Sequence, residues 1–389
     1  MRSFMLDRFV LHESGHSNYR QEITALLDYF LKRRFFNSKT ISRAFSQCFC
    51  NINNILHYLF VEELFLDLEK IADEIRNFEG LTRKHNIADI VKIFETVRSE
   101  YGNCIADFGD DAAVLDAGNE DVILFAADGI WGRLLDASPW WAGYSSVLVN
   151  VNDISAMGGK PLGMVNVLSS NNKKACVELL NGIKDGIAKF GVPMVGGHLH
   201  PDTPHLSLSV AIVGTAKRDC LIRSDTARTG DLIIAAYDME GRVGLNSPYS
   251  WDTTTMKTPA EVREKFMVMQ TIGEAHVVTA GKDISNPGTL GTLGMLLETS
   301  HKGAVVDLAK IPVPKGVDFI QWLKIYPATG YIVTAQPGQE TRCIEFFEDV
   351  GITAKVIGEI TDDRKLIIKH GEESLSLFDF KKDTVTGIV

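Results

Sequence analysis

The sequence predicts two α+β domains, on three observations. At 389 residues the chain has the length of two domains or more. Apolar runs of strand length and amphipathic helical segments follow one another in mixed order, without the strict alternation that builds one doubly wound sheet. A turn at Arg228-Thr229-Gly230-Asp231 separates two such series. The domains are expected to span 62–220 and 221–389, behind an N-terminal appendage over 1–61.

Residues 1–60 are rich in Phe, Tyr, Asn and Arg, and Leu26, Leu27, Phe30 and Leu31 predict a helix over 23–36. The appendage is expected to be helical or partly disordered, and the sequence assigns it no role. From Val61 onward Leu64, Leu68, Ile71, Ile75 and Phe78 recur every three or four residues, the period of a helix that leads into the main body. Strands are expected over 104–108, 122–127, 162–168 and 206–214, and helices over 139–157 and 173–190. Ser138 before Pro139 predicts a helix start: a Ser oxygen caps, and Pro lacks an amide hydrogen that the first turn leaves unpaired. In the second half, strands are expected over 232–236, 304–307, 331–335, 355–358 and 365–368. Helices are expected near 259–280, 289–299 and 341–350.

Composition narrows the function classes. Apolar residues at 45% and charged residues at 23% are ordinary for a globular protein. No apolar run reaches the 18 or so residues that cross a membrane, and the start lacks a secretory pattern, so a cytoplasmic chain without a membrane partner is expected. The net charge of -10 is uneven: residues 1–60 carry eight Lys/Arg against four Asp/Glu, the remainder 32 against 46. An acidic body argues against nucleic acid as a partner, but not against a nucleotide held through Mg²⁺. The six cysteines (Cys48, Cys50, Cys104, Cys176, Cys220 and Cys343) form no Cys-x-x-Cys. They read as free thiols in a reducing compartment, and their spacing supports no zinc site.

Candidate chemistry gathers at the ends of apolar elements. Gly109-Asp110-Asp111 precedes the run 122–127, which ends on Asp128. Clustered carboxylates attract hard cations such as Mg²⁺; Gly-Asp-Asp alone reads rather as an acidic turn, and the further polar clusters downstream shift the reading toward a site. On the helix after Pro139, Ser146, Asn150, Asp153 and Met157 share one face, which a solvated polar face explains as well as a site does. Met157-Gly158-Gly159 then suits a helix C-cap. In Val195-Gly196-Gly197-His198-Leu199-His200-Pro201-Asp202, the paired glycines let backbone amides approach an anion, and His198, His200 and Asp202 share one face if extended. Phosphate contact by a histidine is favoured there over a transition-metal site. Arg223-Ser224-Asp225 reads at even odds as a triphosphate fork or a structural ion pair. Asp283-Ile284-Ser285-Asn286 reads as a plain helix N-cap or a phosphate-binding turn. Neither a Walker loop nor Gly-x-Gly-x-x-Gly occurs.

Taken in order, these clusters resemble the superfamily of ATP-dependent enzymes that includes aminoimidazole ribonucleotide synthetase, thiamine-monophosphate kinase, selenophosphate synthetase and a hydrogenase maturation protein. Gly109-Asp110-Asp111, Ala127-Asp128, Val149-Asn150 through Asp153 to Met157-Gly158, Gly196-Gly197-His198, Arg223-Ser224-Asp225 and Asp283-Ile284-Ser285-Asn286 carry the resemblance, which covers about residue 62 to the end. It implies that Asp111, Asp128, Asp153 and Asp283, with Asp110 beside them, hold Mg²⁺. It implies that Arg223 and Ser285, with Asn150, Gly196 and Gly197, contact ATP. It further implies an N-terminal domain that forms a homodimer through its sheet, with ATP in a cleft by the dimer interface.

The departures bear on the substrate. His198 stands where the kinase branch has Asp, and Asn286-Pro287-Gly288 where it has Asp-Gly. Pro327-Ala328-Thr329-Gly330-Tyr331 replaces the kinase's Gly-Gly-Glu-Asp-Tyr, so thiamine phosphate is not expected as substrate. No Cys- and Lys-bearing Gly-rich segment precedes Gly109, which counts against selenophosphate synthesis. The runs 126–133 and 251–257 resemble the branch called methanogenesis marker protein 2, which implies an archaeal methanogen source and no defined reaction. The expected function is a Mg²⁺-ATP enzyme, a phosphotransferase or synthetase, that phosphorylates an oxygen of a small-molecule substrate, with His198 or His200 as general acid/base. The alternatives are a catalytically inactive nucleotide-binding regulatory or assembly protein, and a metal carrier using His198, His200 and Asp202.

Overall fold

The computed structural model describes residues 66–388 apart from 99, 101, 245 and 246. The appendage over 1–61, the helix expected over 23–36, and Cys48 and Cys50 lie outside the described residues. The described chain opens with α1 (Leu68–Arg76), α2 (Glu79–Thr82) and α3 (Ile87–Arg98). In α1 the expected period holds: Leu68, Ile71 and Ile75 are buried, and the Asp67 carboxylate caps the helix by accepting from Lys70 N at 3.0 Å. Phe78 falls past the end of α1 and occupies the N-cap position of α2.

The first sheet takes β1 (Cys104–Ala106), β2 (Ala113–Asp116), β3 (Asp121–Gly129), β4 (Lys160–Ser169), β5 (Met194–His200) and β6 (Ser207–Lys217), in the order β1-β2-β3-β6-β4-β5. Its neighbours pair antiparallel except β4 and β5. Period-2 burial along β3 sends Val122, Leu124 and Ala126 inward and leaves Phe125 outward. Between strands lie α4 (Gly132–Ala137), α5 (Pro139–Ala156) and α6 (Lys173–Phe190), with α5 and α6 packed on the inner face. They touch backbone to backbone: a Cβ on Gly182 would lie 1.9 Å from the Trp140 carbonyl oxygen. Because α5 is covered by the sheet and α6, Ser146, Asn150 and Met157 are all buried, so the expected face is not a solvated one. Pro139 starts α5 as expected, but the Ser138 side chain makes no capping bond. Gly158 ends the helix with φ +72°, a conformation that favours glycine.

A one-turn 3-10 helix (Arg218–Cys220) leads to the second half. Its strands are β7 (Leu232–Tyr237), β8 (Arg242–Val243), β9 (Ser250–Asp252), β10 (Ala280–Asp283), β11 (Gly303–Asp307), β12 (Tyr326–Pro327), β13 (Gly330–Ala335), β14 (Thr353–Thr361), β15 (Lys365–His370) and β16 (Glu373–Asp379). Seven form a sheet in the order β10-β13-β7-β14-β11-β15-β16, and β12-β9-β8 form a small one. The helices are α7 (Pro259–Glu274), α8 (Gly288–Thr299), α9 (Phe319–Lys324) and α10 (Glu340–Asp349). A capping box between Thr258 and Glu261 starts α7. It ends six residues before the expected 280, because His276 turns left-handed (φ +53°) and the chain enters β10.

Every residue of α8 from Gly288 to Glu298 is buried, including the Glu298 carboxylate. That charge is satisfied by the returning C-terminal segment: it accepts from Val385 N (2.9 Å), Thr386 N (2.7 Å), Thr386 Oγ1 (2.6 Å) and Gly387 N (3.2 Å). Glu298→Ala strips four donors of their acceptor, and an expected loss of about 3 kcal/mol follows from leaving buried groups unpaired. Urea unfolding of the variant against wild type measures it.

Candidate functional site

Four elements converge on a cavity of about 890 Å³. The turn before β2 brings Asp110 and Asp111, and the end of β3 brings Asp128. The last turn of α5 brings Asp153, and the end of β10 brings Lys282 and Asp283. Gly109 makes the turn with φ +115°, which a side chain rarely adopts. Asp110 is fixed at both oxygens: Asp111 N donates to Oδ1 and Ser224 N to Oδ2, each at 2.9 Å. Asp111 pairs with Lys282 Nζ and accepts from Asp283 N at 3.1 Å. The two side chains of that ion pair are 4% and 3% exposed.

One buried lysine thus faces five carboxylates, and the imbalance shows in their acidities. Burial, reinforced by Asp111 and opposed by Lys282, pushes Asp110 up to about 6. Asp153 is raised well above the ordinary carboxylate range by burial and then by Asp128, Asp283 and Asp111. Asp283 is raised likewise by burial and by Asp111, and Asp128 by burial. Burial disfavours charge on Lys282, yet Asp111, Asp110 and Asp283 outweigh it and raise its pKa. Lys84, at the rim, is lowered by burial and by the charge of Lys282. Such a cluster holds more negative charge than its surroundings neutralise, which is the environment that draws in a cation.

The donor set fits Mg²⁺. No three of these carboxylates bring ligand atoms within 4.8 Å of one another. Mg²⁺ typically uses one or two carboxylates and completes its octahedron with water and phosphate oxygens, and does not need an all-protein cage.

The other expected site residues divide. Ser285 lines the same cavity; its N donates to Thr292 Oγ1 at 3.2 Å, and α8 begins without a side-chain cap. Arg223 pairs with Asp225 and opens on a neighbouring cavity of about 310 Å³, which Asp110 also lines. That pairing leaves the buried Nε of Arg223 without a partner. Asn150 is fully buried inside the helix packing, donating to Ser146 O at 2.8 Å, and lines neither cavity. Gly196, Gly197, His198 and His200 lie exposed on β5, at the sheet edge and outside both cavities. The two histidine rings meet edge to face with centroids 4.5 Å apart. His198, His200 and Asp202 do not gather their ligand atoms within 4.8 Å, so the carrier arrangement is not assembled.

Sequence reasoning missed Trp141, Trp251, Tyr326 and Asn152, which line the same cavity together with Ala328. Asn152, 3% exposed, donates to Ala328 O at 3.2 Å and keeps an unpartnered Oδ1. Asn152 sits one residue from Asp153, but nothing in helical spacing marks which neighbour of a site residue turns toward the site.

Two family models match the chain: AIR synthase related protein, N-terminal domain, over 109–216, and AIR synthase related protein, C-terminal domain, over 228–371. The chain belongs to the AIR synthase related proteins. Among its relatives in this family is an uncharacterised protein of Methanocaldococcus jannaschii, 51% identical over 323 residues, with 83% of this chain and all of that one covered. Another is an uncharacterised protein of Synechocystis, 37% identical over 279 residues, with 72% of this chain and 86% of that one covered. The structure of AaThiL complexed with AMPPCP and TMP superimposes with a TM-score of 0.56 at 18% identity, over 77% of this chain and 98% of that one. The expected superfamily and the expected pair of α+β domains are both borne out.

Proposed function

We propose that this AIR synthase related protein is a Mg²⁺-ATP-dependent enzyme that phosphorylates an oxygen of a small-molecule substrate. The observation that carries the reading is the gathering of Asp110, Asp111, Asp128, Asp153 and Asp283 around one cavity with a single buried lysine. Asp111, Asp128, Asp153 and Asp283, with Asp110 beside them, would hold Mg²⁺, and Ser285 and Arg223 would contact the nucleotide. Mg²⁺, when bound, neutralises phosphate charge and fixes the transferring group, the chief source of rate in phosphoryl transfer. AaThiL's complex with an ATP analogue supports a nucleotide in this fold.

The aromatic walls of the cavity suit the acceptor. Trp141, Trp251 and Tyr326 offer flat apolar surface, and Asn152 Oδ1 offers an acceptor for a substrate N–H or O–H. Thr329 supplies no charge where the kinase branch has Glu, in keeping with a substrate other than thiamine phosphate. The test is ADP formation from Mg²⁺-ATP over a screen of small acids, alcohols and amides. An acceptor that stimulates ADP release, with its phosphate recovered as product or intermediate, is the expected result. Saturable nucleotide binding without turnover on any acceptor would favour the regulatory or assembly reading.

A homodimer through the first sheet is part of this proposal. The outward face shows Phe125, Leu162, Val165 and Val167 between 43% and 51% exposed, an apolar patch of the kind that marks an interface. His198 pairs in register with Val167 and His200 with Ser169, so a second copy on this face would cover both histidines. The role we give them as acid/base residues rests on that dimer. Sedimentation of Val165→Asp/Val167→Asp is expected to show a monomer where wild type is a dimer. His198→Ala is expected to slow turnover more than it weakens nucleotide binding, and an unchanged rate would remove His198 from the chemistry.

A further inference from the structure

We infer that Asp219, Cys220 and His276 form a binding site for a borderline transition ion of the Zn²⁺ type, separate from the carboxylate cavity. Among the described residues, this group alone brings three His, Cys, Asp or Glu ligand atoms within 4.8 Å of one another. The donors are a carboxylate oxygen, a thiol sulfur and an imidazole nitrogen. That is the mixed N/S/O set that Zn²⁺ and Co²⁺ accept and Mg²⁺ does not.

The backbone is built to bring them together. Asp219 and Cys220 close the 3-10 turn that leaves the first sheet, and His276 stands just past the end of α7 in the second half. The turn approaches α7 only because residue 273 is glycine: a Cβ there would lie 2.4 Å from the Cys220 carbonyl oxygen. His276 holds φ +53°, an uncommon left-handed conformation for a residue with a Cβ, fixed by its N donating to Gly273 O at 3.1 Å. Asp219 and His276 are exposed and Cys220 half-buried, so an ion can enter from solvent. Three protein ligands leave a fourth position for water, and the bound ion would fasten the junction between the two halves of the chain.

Co²⁺ titration of the full-length protein tests this, using metal-stripped protein carrying no histidine tag. A near-ultraviolet thiolate-to-Co²⁺ charge-transfer band should saturate at one equivalent and be displaced by Zn²⁺. Cys220→Ser should abolish the band, and His276→Ala should weaken Co²⁺ binding at least tenfold, while Cys104→Ser and Cys343→Ser keep it. Mg²⁺-ATP binding should be unchanged in Cys220→Ser, which keeps this outcome separate from that of the proposed enzyme activity. Absence of the band in folded wild type, or its persistence in Cys220→Ser, would overturn the assignment.

Discussion

Replacing Asp153 by Asn is expected to make the metal-free protein more stable and to weaken Mg²⁺-ATP binding by about 100-fold or more. The sign follows from the carboxylate's environment. Burial and the charges of Asp128, Asp283 and Asp111 raise its folded pKa well above its unfolded value. The native state therefore binds the proton more tightly than the unfolded chain, and native stability falls as pH rises above the ordinary carboxylate range, until the folded pKa is passed. Asn resembles the neutral acid and escapes that loss. The gain in melting temperature should be largest near pH 7.5 and vanish near pH 4. Thermal melts at the two pH values read the first effect, and calorimetric titration reads the second. A variant less stable at pH 7.5 and more stable at pH 4 would mean the cluster is not electrostatically strained.

Lys282→Met should have the opposite effect on stability. Lys282 is the buried cation that pairs with Asp111, and removing it leaves that carboxylate uncompensated beside Asp110 and Asp283. Loss of one partner of a buried pair costs about 3–5 kcal/mol. Replacing both partners removes the orphaned charge, so Asp111→Leu/Lys282→Met should recover most of that loss while still failing to bind nucleotide. Urea unfolding of the two single variants and the double variant gives the coupling directly. A double variant as unstable as the sum of the singles would show that the pair contributes through packing alone.

The halves of the fold were legible because their strands and helices carry strong apolar periods. Lys173–Phe190 and the buried stripe of α1 are cases where the residue pattern and the structure coincide. β10 was invisible because Ala280-Gly281-Lys282-Asp283 has no alternation: it is buried on both faces and carries site residues in place of apolar ones. β5 went unassigned for the opposite reason, since its Gly-Gly-His-Leu-His segment is exposed at the sheet edge and carries no apolar alternation. The carboxylates around the cavity were legible as residues at the ends of elements. Which of their neighbours join them, Lys282 and Asn152 above all, depended on packing between elements remote in sequence. The same limit hid Asp219, Cys220 and His276, whose separation along the chain matches no metal-ligand spacing.

Calorimetric titration of ATP into the protein at pH 6, with and without Mg²⁺ and in two buffers of different ionisation enthalpy, tests the central claim most directly. We expect saturable binding that requires Mg²⁺ and is lost in Asp111→Ala. It should release protons, because a bound cation lowers the pKa of Asp110 from about 6 and of the carboxylates beside it. No binding by folded wild-type protein, or binding indifferent to Mg²⁺ and to Asp111, would contradict a metal–nucleotide site in this cavity.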